Sequence, residues 1–77
     1  MTRSTHLRRI DPDRNMARFY AMSLQPTLFG EWALVREWGR IGSTGRIVSG
    51  CFATELEAAV ALEKQRAVKL GKGYRAV

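Results

Sequence analysis

Arg36, Trp38 and Arg40 stand two residues apart in the run Val35-Arg36-Glu37-Trp38-Gly39-Arg40-Ile41-Gly42. Side chains of an extended strand alternate between faces, so these three point one way and Glu37, Gly39 and Ile41 the other. The resulting ridge sets a flat indole, able to stack on a base or sugar, between guanidinium groups able to hold phosphate oxygens. Arg46 follows the turn Gly42-Ser43-Thr44-Gly45 and brings a further guanidinium near the same tip. Desolvating two same-face arginines is costly, so the end of the ridge nearest the tip is expected in water. Trp32 shares the parity but is read as a core or cross-strand packing residue, since tryptophan is highly buried on average. Gly39 also has a purely structural reading, relief of crowding or a bulge within the strand. The candidate binding set is therefore Arg36, Trp38, Gly39, Arg40 and Arg46.

Net charge agrees with that chemistry. Thirteen basic residues against seven acidic ones leave +6 on 77 residues, which favours a polyanionic partner. Ten of the thirteen are arginine, whose planar fork suits phosphate better than an ammonium point charge. The basic residues Lys64, Arg66, Lys69, Lys72 and Arg75 are read mainly as a solvated helix face, with a second anionic contact as their alternative role.

Other chemistries lack their parts. One Cys and one His can build neither an internal disulfide nor a structural zinc site, so no metal and no cofactor is expected. Cys51 sits in an apolar strand and is expected to be buried, His6 lies near the chain start, and Ser23, Ser43 and Ser49 have no assigned base. Gly42-Ser43-Thr44-Gly45 lacks the lysine and the strand-to-helix setting of a phosphate-binding loop. A non-enzymatic module is the expectation. No stretch approaches the roughly 20 apolar residues of a membrane span and no signal peptide is evident, so a cytoplasmic location, with association with the nucleoid included, is expected.

The elements that must position the ridge follow from pattern. Thr5 to Ile10 reads as a short charged edge strand ended by the turn Asp11-Pro12-Asp13-Arg14-Asn15. Met16 to Leu24 is a second strand, Trp32 to Ile41 a third, and Arg46 to Phe52 a fourth returning antiparallel to the third. Thr54 with Glu57 three residues on is a capping box, and the alanine-rich run continues as a helix to Leu70, with Gly71 expected just past its end. At 100° per residue Leu56, Ala59, Val60, Ala67 and Leu70 share one face, expected to pack on the sheet, with Glu63 at its edge beside Arg66. Tyr74 is expected to tuck its ring against the sheet. The fold class is α+β: one domain over 1–77, an antiparallel sheet of about four strands, one C-terminal helix on one face, and the other face free.

Together these residues resemble the WGR domain. The similarity is carried by Arg18-Phe19-Tyr20, Leu28-Phe29-Gly30, the run from Val35 to Gly42 with Trp38-Gly39-Arg40 at its centre, Gly45, the junction from Phe52 into the helix, and Lys72-Gly73-Tyr74. It spans about His6 to Arg75 and is similar to the small single-domain bacterial type. The resemblance implies a small antiparallel sheet flanked by a helix and a nucleic-acid-binding role, best known from DNA-dependent poly(ADP-ribose) polymerases, where the domain grips DNA at breaks. It further implies that Trp38 packs on the sugar of a terminal nucleotide and that Arg40 links DNA to neighbouring domains. DNA is thus the expected partner ahead of RNA, with ends or nicks as implied targets. The second reading is a protein-docking module for a separately encoded DNA-processing partner, because Arg and aromatic residues also dominate protein interfaces.

Overall fold

The structure, a computed structural model, describes residues 3–76, so Met1, Thr2 and Val77 of the expected domain lie outside it. Its strands are β1 (Arg3–Asp11), β2 (Met16–Pro26), β3 (Trp32–Arg40), β4 (Arg46–Phe52) and β5 (Arg75–Ala76), with one α-helix, α1 (Glu55–Gly71), between β4 and β5 and a single 3-10 turn, Pro12–Arg14, between β1 and β2. The strands form one antiparallel sheet in the order β4-β3-β2-β1-β5. The α+β class stands, with five strands in place of about four. The additional strand is the tail, which returns beside β1 and pairs Arg75 with Arg8 and Ala76 with Leu7. Two residues are too few to show an alternation pattern in sequence.

Two tight loops set the register on which the site depends. Between β1 and β2, Asn15 takes a left-handed φ of 52° and its N–H donates to the Pro12 carbonyl at 3.1 Å. Between β2 and β3, the Thr27 hydroxyl accepts from the N–H of Phe29 (3.3 Å) and of Glu31 (3.2 Å), while Thr27 N–H donates to the Glu31 carbonyl at 2.8 Å. A side chain mimicking a backbone turn in this way is a usual role of threonine. From this loop the ladder runs without a break from Pro26 opposite Trp32 to Arg18 opposite Arg40.

One face of the sheet carries the core. Leu7, Tyr20, Met22, Leu24 and Leu34 alternate inward and meet Ala58, Leu62 and Tyr74, all nine-tenths buried or more. Trp32, Trp38 and Phe52 pack on the margin of this cluster, which agrees with the expected packing role of Trp32. α1 opens with the expected cap, the Thr54 hydroxyl accepting from Glu57 N–H at 3.2 Å. Its inward face, however, is Ala58 and Leu62, flanked by half-buried Ala61, Gln65 and Lys69. The expected stripe points outward in large part: Leu56 is 74% exposed, Val60 46% and Leu70 37%. In an alanine-rich helix apolar residues fall on every side, and the face that wins is the one whose small Ala58 lets the helix close on the sheet. Glu63 is exposed and makes no ion pair with Arg66; among the described residues the one ion pair is Arg14 with Asp11 at 3.7 Å.

Past the helix, Gly73 rather than Gly71 takes the left-handed conformation, with φ of 96°. Gly73 N–H donates to the Leu70 carbonyl at 3.2 Å and Tyr74 N–H to the Lys69 carbonyl at 3.1 Å, the paired bonds of a Schellman ending. Cys51 is exposed, against the expectation of burial: β4 is an edge strand, and Cys51 lies on the sheet face that no helix covers. Among the described residues no helix is long and apolar enough to cross a membrane.

Candidate nucleic-acid interface

Register brings Arg36, Trp38 and Arg40 to a common face, opposite Met22, Tyr20 and Arg18 of β2. That face is the one α1 covers, not the uncovered one, because Tyr20 and Met22 belong to the core. The helix stops short of the end of the sheet. Trp38 therefore lies half-buried at the helix's C-terminal margin, its ring stacked on Tyr20 with centroids 5.8 Å apart and planes 20° apart. Beyond it opens a cleft of about 490 Å³ lined by Arg18, Trp38, Gly39, Arg40, Lys69 and Tyr74.

The candidate residues divide within this frame. Trp38, Gly39 and Arg40 line the cleft itself. Arg46 is the cross-strand partner of Trp38, so it shares the same face and stands exposed beside it. Arg36 has its guanidinium carbon 5.9 Å from the Trp38 ring centroid, but it lines a neighbouring groove of about 230 Å³ between α1 and β4.

Gly39 owes its place to packing. A Cβ there would lie 3.0 Å from Gly45 Cα and 3.5 Å from the Phe19 ring, and a Cβ at Gly45 would lie 2.5 Å from the Trp38 carbonyl oxygen and 2.7 Å from that ring. The loop after β3 thus folds back onto its own strand, and the two glycines leave room for Phe19. Ser43 closes the turn by donating its hydroxyl to the Arg40 carbonyl at 3.0 Å.

Three cleft members lie outside the candidate set, although Lys69 carries a second anionic contact as its alternative role and Tyr74 is expected against the sheet, where it lies buried. Arg18 lies directly opposite Arg40, and Arg9 directly opposite Arg18, making a row of three arginines across β3, β2 and β1. Like charges facing each other across a sheet are destabilising. Lys69 and Tyr74 are brought together by the Schellman ending, which sets the residue three before the cap against the second residue after it. Lys69 Nζ lies 4.7 Å from the Tyr20 ring centroid and 5.5 Å from that of Tyr74, and Tyr20 meets Tyr74 edge-to-face at 6.3 Å. Burial against these rings, then the charges of Lys72, Arg36 and Arg18, lower the Lys69 pKa from its ordinary 10.5. The Gly73-Tyr74 pair was the available signal; reading Gly71 as the cap residue hid it.

Chemically this is a concave, aromatic-walled, cationic site. Within 4 Å of Arg18, Arg40 and Lys69 no carboxylate is found among the described residues. Opposed cations without counter-charges favour a bound anion, and the indole offers a flat surface beside it.

Comparison with known proteins agrees with the motif. The chain is 44% identical over 70 residues to the uncharacterized protein y4dW of Sinorhizobium fredii (strain NBRC 101917 / NGR234), an alignment covering 91% of this chain and 34% of that one. The chain thus spans about a third of the length of that relative. No solved structure matches it. The family model of the WGR domain matches residues 3–77. With the Trp38-Gly39-Arg40 strand, the single flanking helix and that match in agreement, the chain belongs to the WGR domain family.

Proposed function

We propose that this domain binds DNA in the cleft beside Trp38, as a recognition module acting in the cytoplasm or on the nucleoid. The carrying observation is the row of facing arginines, Arg18 against Arg40, which joins Lys69 around a half-buried indole with no carboxylate among the described residues to neutralise it. In this reading Arg18, Arg40 and Arg46 take phosphate oxygens, and the outer part of the Trp38 ring packs on a sugar or base. Arg36 acts from one step away, through its contact with the indole. A strand end or nick, whose backbone can turn into the cleft, is the target in this reading.

Salt dependence is the test. If these three arginines each neutralise one phosphate, log affinity for duplex DNA falls against log salt with a slope of roughly −2.7. Arg40→Gln makes that slope shallower by about 0.9, and Trp38→Ala weakens binding while leaving the slope in place. A slope near zero would reject the reading.

A protein-docking reading has one observation in its favour. At the opposite end of the sheet Leu28 and Phe29 are 99% and 88% exposed on the Thr27 loop, an apolar pair with nothing against it among the described residues. Recovery of a protein partner that survives nuclease treatment, and is lost on Phe29→Ser, supports docking at that end.

A further inference from the structure

Lys69 is the cleft residue whose properties exceed what phosphate binding requires. A phosphate-contacting lysine performs best as a fully exposed cation on a free stem. Lys69 is instead half-buried, held at the last turn of α1 by the Schellman ending, and aimed across two tyrosine rings at 4.7 and 5.5 Å. It makes no ion pair among the described residues, and the charges that lower its pKa, those of Lys72, Arg36 and Arg18, are all positive. A desolvated amine beside other cations has the environment of a nucleophilic lysine, because the neutral, attacking form is favoured there.

The neighbours define the electrophile. Arg18 and Arg40 line the same cleft and suit the phosphates on either side of one nucleotide, while Trp38 offers an aromatic surface at that position. Where a base is missing, the stack already has a gap, so an inserted ring costs little to accommodate. The sugar at such a site opens to an aldehyde, an electrophile that intact DNA lacks.

We propose that Lys69 condenses with the C1′ aldehyde of an abasic deoxyribose held in the Trp38 cleft, and that the resulting imine expels the 3′ phosphate. The proposal rests on the reading that the cleft receives DNA. The neutral Nζ attacks C1′, and loss of one water with uptake of one proton from solvent leaves a protonated imine. Water removes a proton from C2′; the C–H electron pair forms the C2′–C3′ double bond, and the C3′–O bond breaks with its pair leaving on the phosphate. Hydrolysis takes up one water, frees Lys69 and releases an unsaturated aldehyde, so the step is redox-neutral and uses no metal or co-reactant.

The test uses the full chain and two end-labelled duplexes, one with an abasic site made by uracil excision and one with a tetrahydrofuran residue that has no aldehyde. Cyanoborohydride should trap a covalent adduct with the first duplex only, and peptide mass mapping of the wild-type adduct should place it on Lys69. Lys69→Arg, which keeps the charge over the tyrosine rings, should retain binding to the tetrahydrofuran duplex and lose the adduct. An adduct mapped to Lys64 or Lys72 overturns the proposal, and so does tetrahydrofuran binding with no adduct. Failure to bind either duplex overturns the DNA-binding reading itself. Because the mapping is done on the wild-type chain, the result stands even if the variant folds poorly.

Discussion

At the scale of single residues, the cleft is defined by what its cations lack. Arg18, Arg40 and Lys69 face one another without a carboxylate among the described residues, in a chain that holds seven acids. Lys69 responds in its protonation, to burial first and then to the positive charges of Lys72, Arg36 and Arg18. Its lowered pKa means that, between the folded value and 10.5, the unfolded chain still holds a proton that the folded chain has lost. Stability attributable to this residue therefore rises with pH through that window. Competitive acetylation followed across pH should show Lys69 half-deprotonated below 10.5, and Arg36→Gln should move that midpoint back upward. A midpoint at or above 10.5 would place the amine in open water, outside the cluster. None of this was visible residue by residue in sequence, where Lys69 was one of five bases on a C-terminal segment.

At the scale of elements, two short features do most of the positioning. The Schellman ending at Gly73 turns the tail back to β1 and sets Lys69 against Tyr74. The loop from Ile41 to Gly45 folds over β3 and makes the two glycines, with Phe19 against them, a single packed unit. Gly45→Ala has to push a methyl into the Trp38 carbonyl and the Phe19 ring, so it should cost about 1–3 kcal/mol in denaturant unfolding and disturb the Trp38 fluorescence. Loss of stability with an unchanged Trp38 environment would show that loop and cleft are independent. The capping box, the strand spans and the β3–β4 pairing were legible because each depends on residues near in sequence. The fifth strand was not, since its two residues are defined only by their partners Leu7 and Arg8.

At the scale of the molecule, binding and stability oppose each other in the arginine row. Each facing pair repels while the cleft is empty, and its repulsion is removed when phosphate is bound. Arg18→Gln should accordingly raise the stability of the free domain by about 0.2–1 kcal/mol, read as a higher midpoint of unfolding, while weakening its affinity for DNA. If stability falls and binding holds, Arg18 supports the fold and not the ligand. The helix contributes to the same balance by ending where it does, which covers Tyr20 and leaves the outer part of Trp38 accessible.

Local pattern alone determined the antiparallel strands, the helix and its N-cap, the shared face of Arg36, Trp38 and Arg40, and the family, because alternation, capping and motif spacing act over a few neighbouring residues. Tertiary structure decided which sheet face the helix covers, which side of the helix turns inward, and that Arg18, Lys69 and Tyr74 converge on Trp38. Parity states which residues share a face but not which face receives the second layer. An alanine-rich helix with apolar residues all round can offer several faces at similar cost, and the choice fell to the fit of Ala58 and Leu62 against the strands.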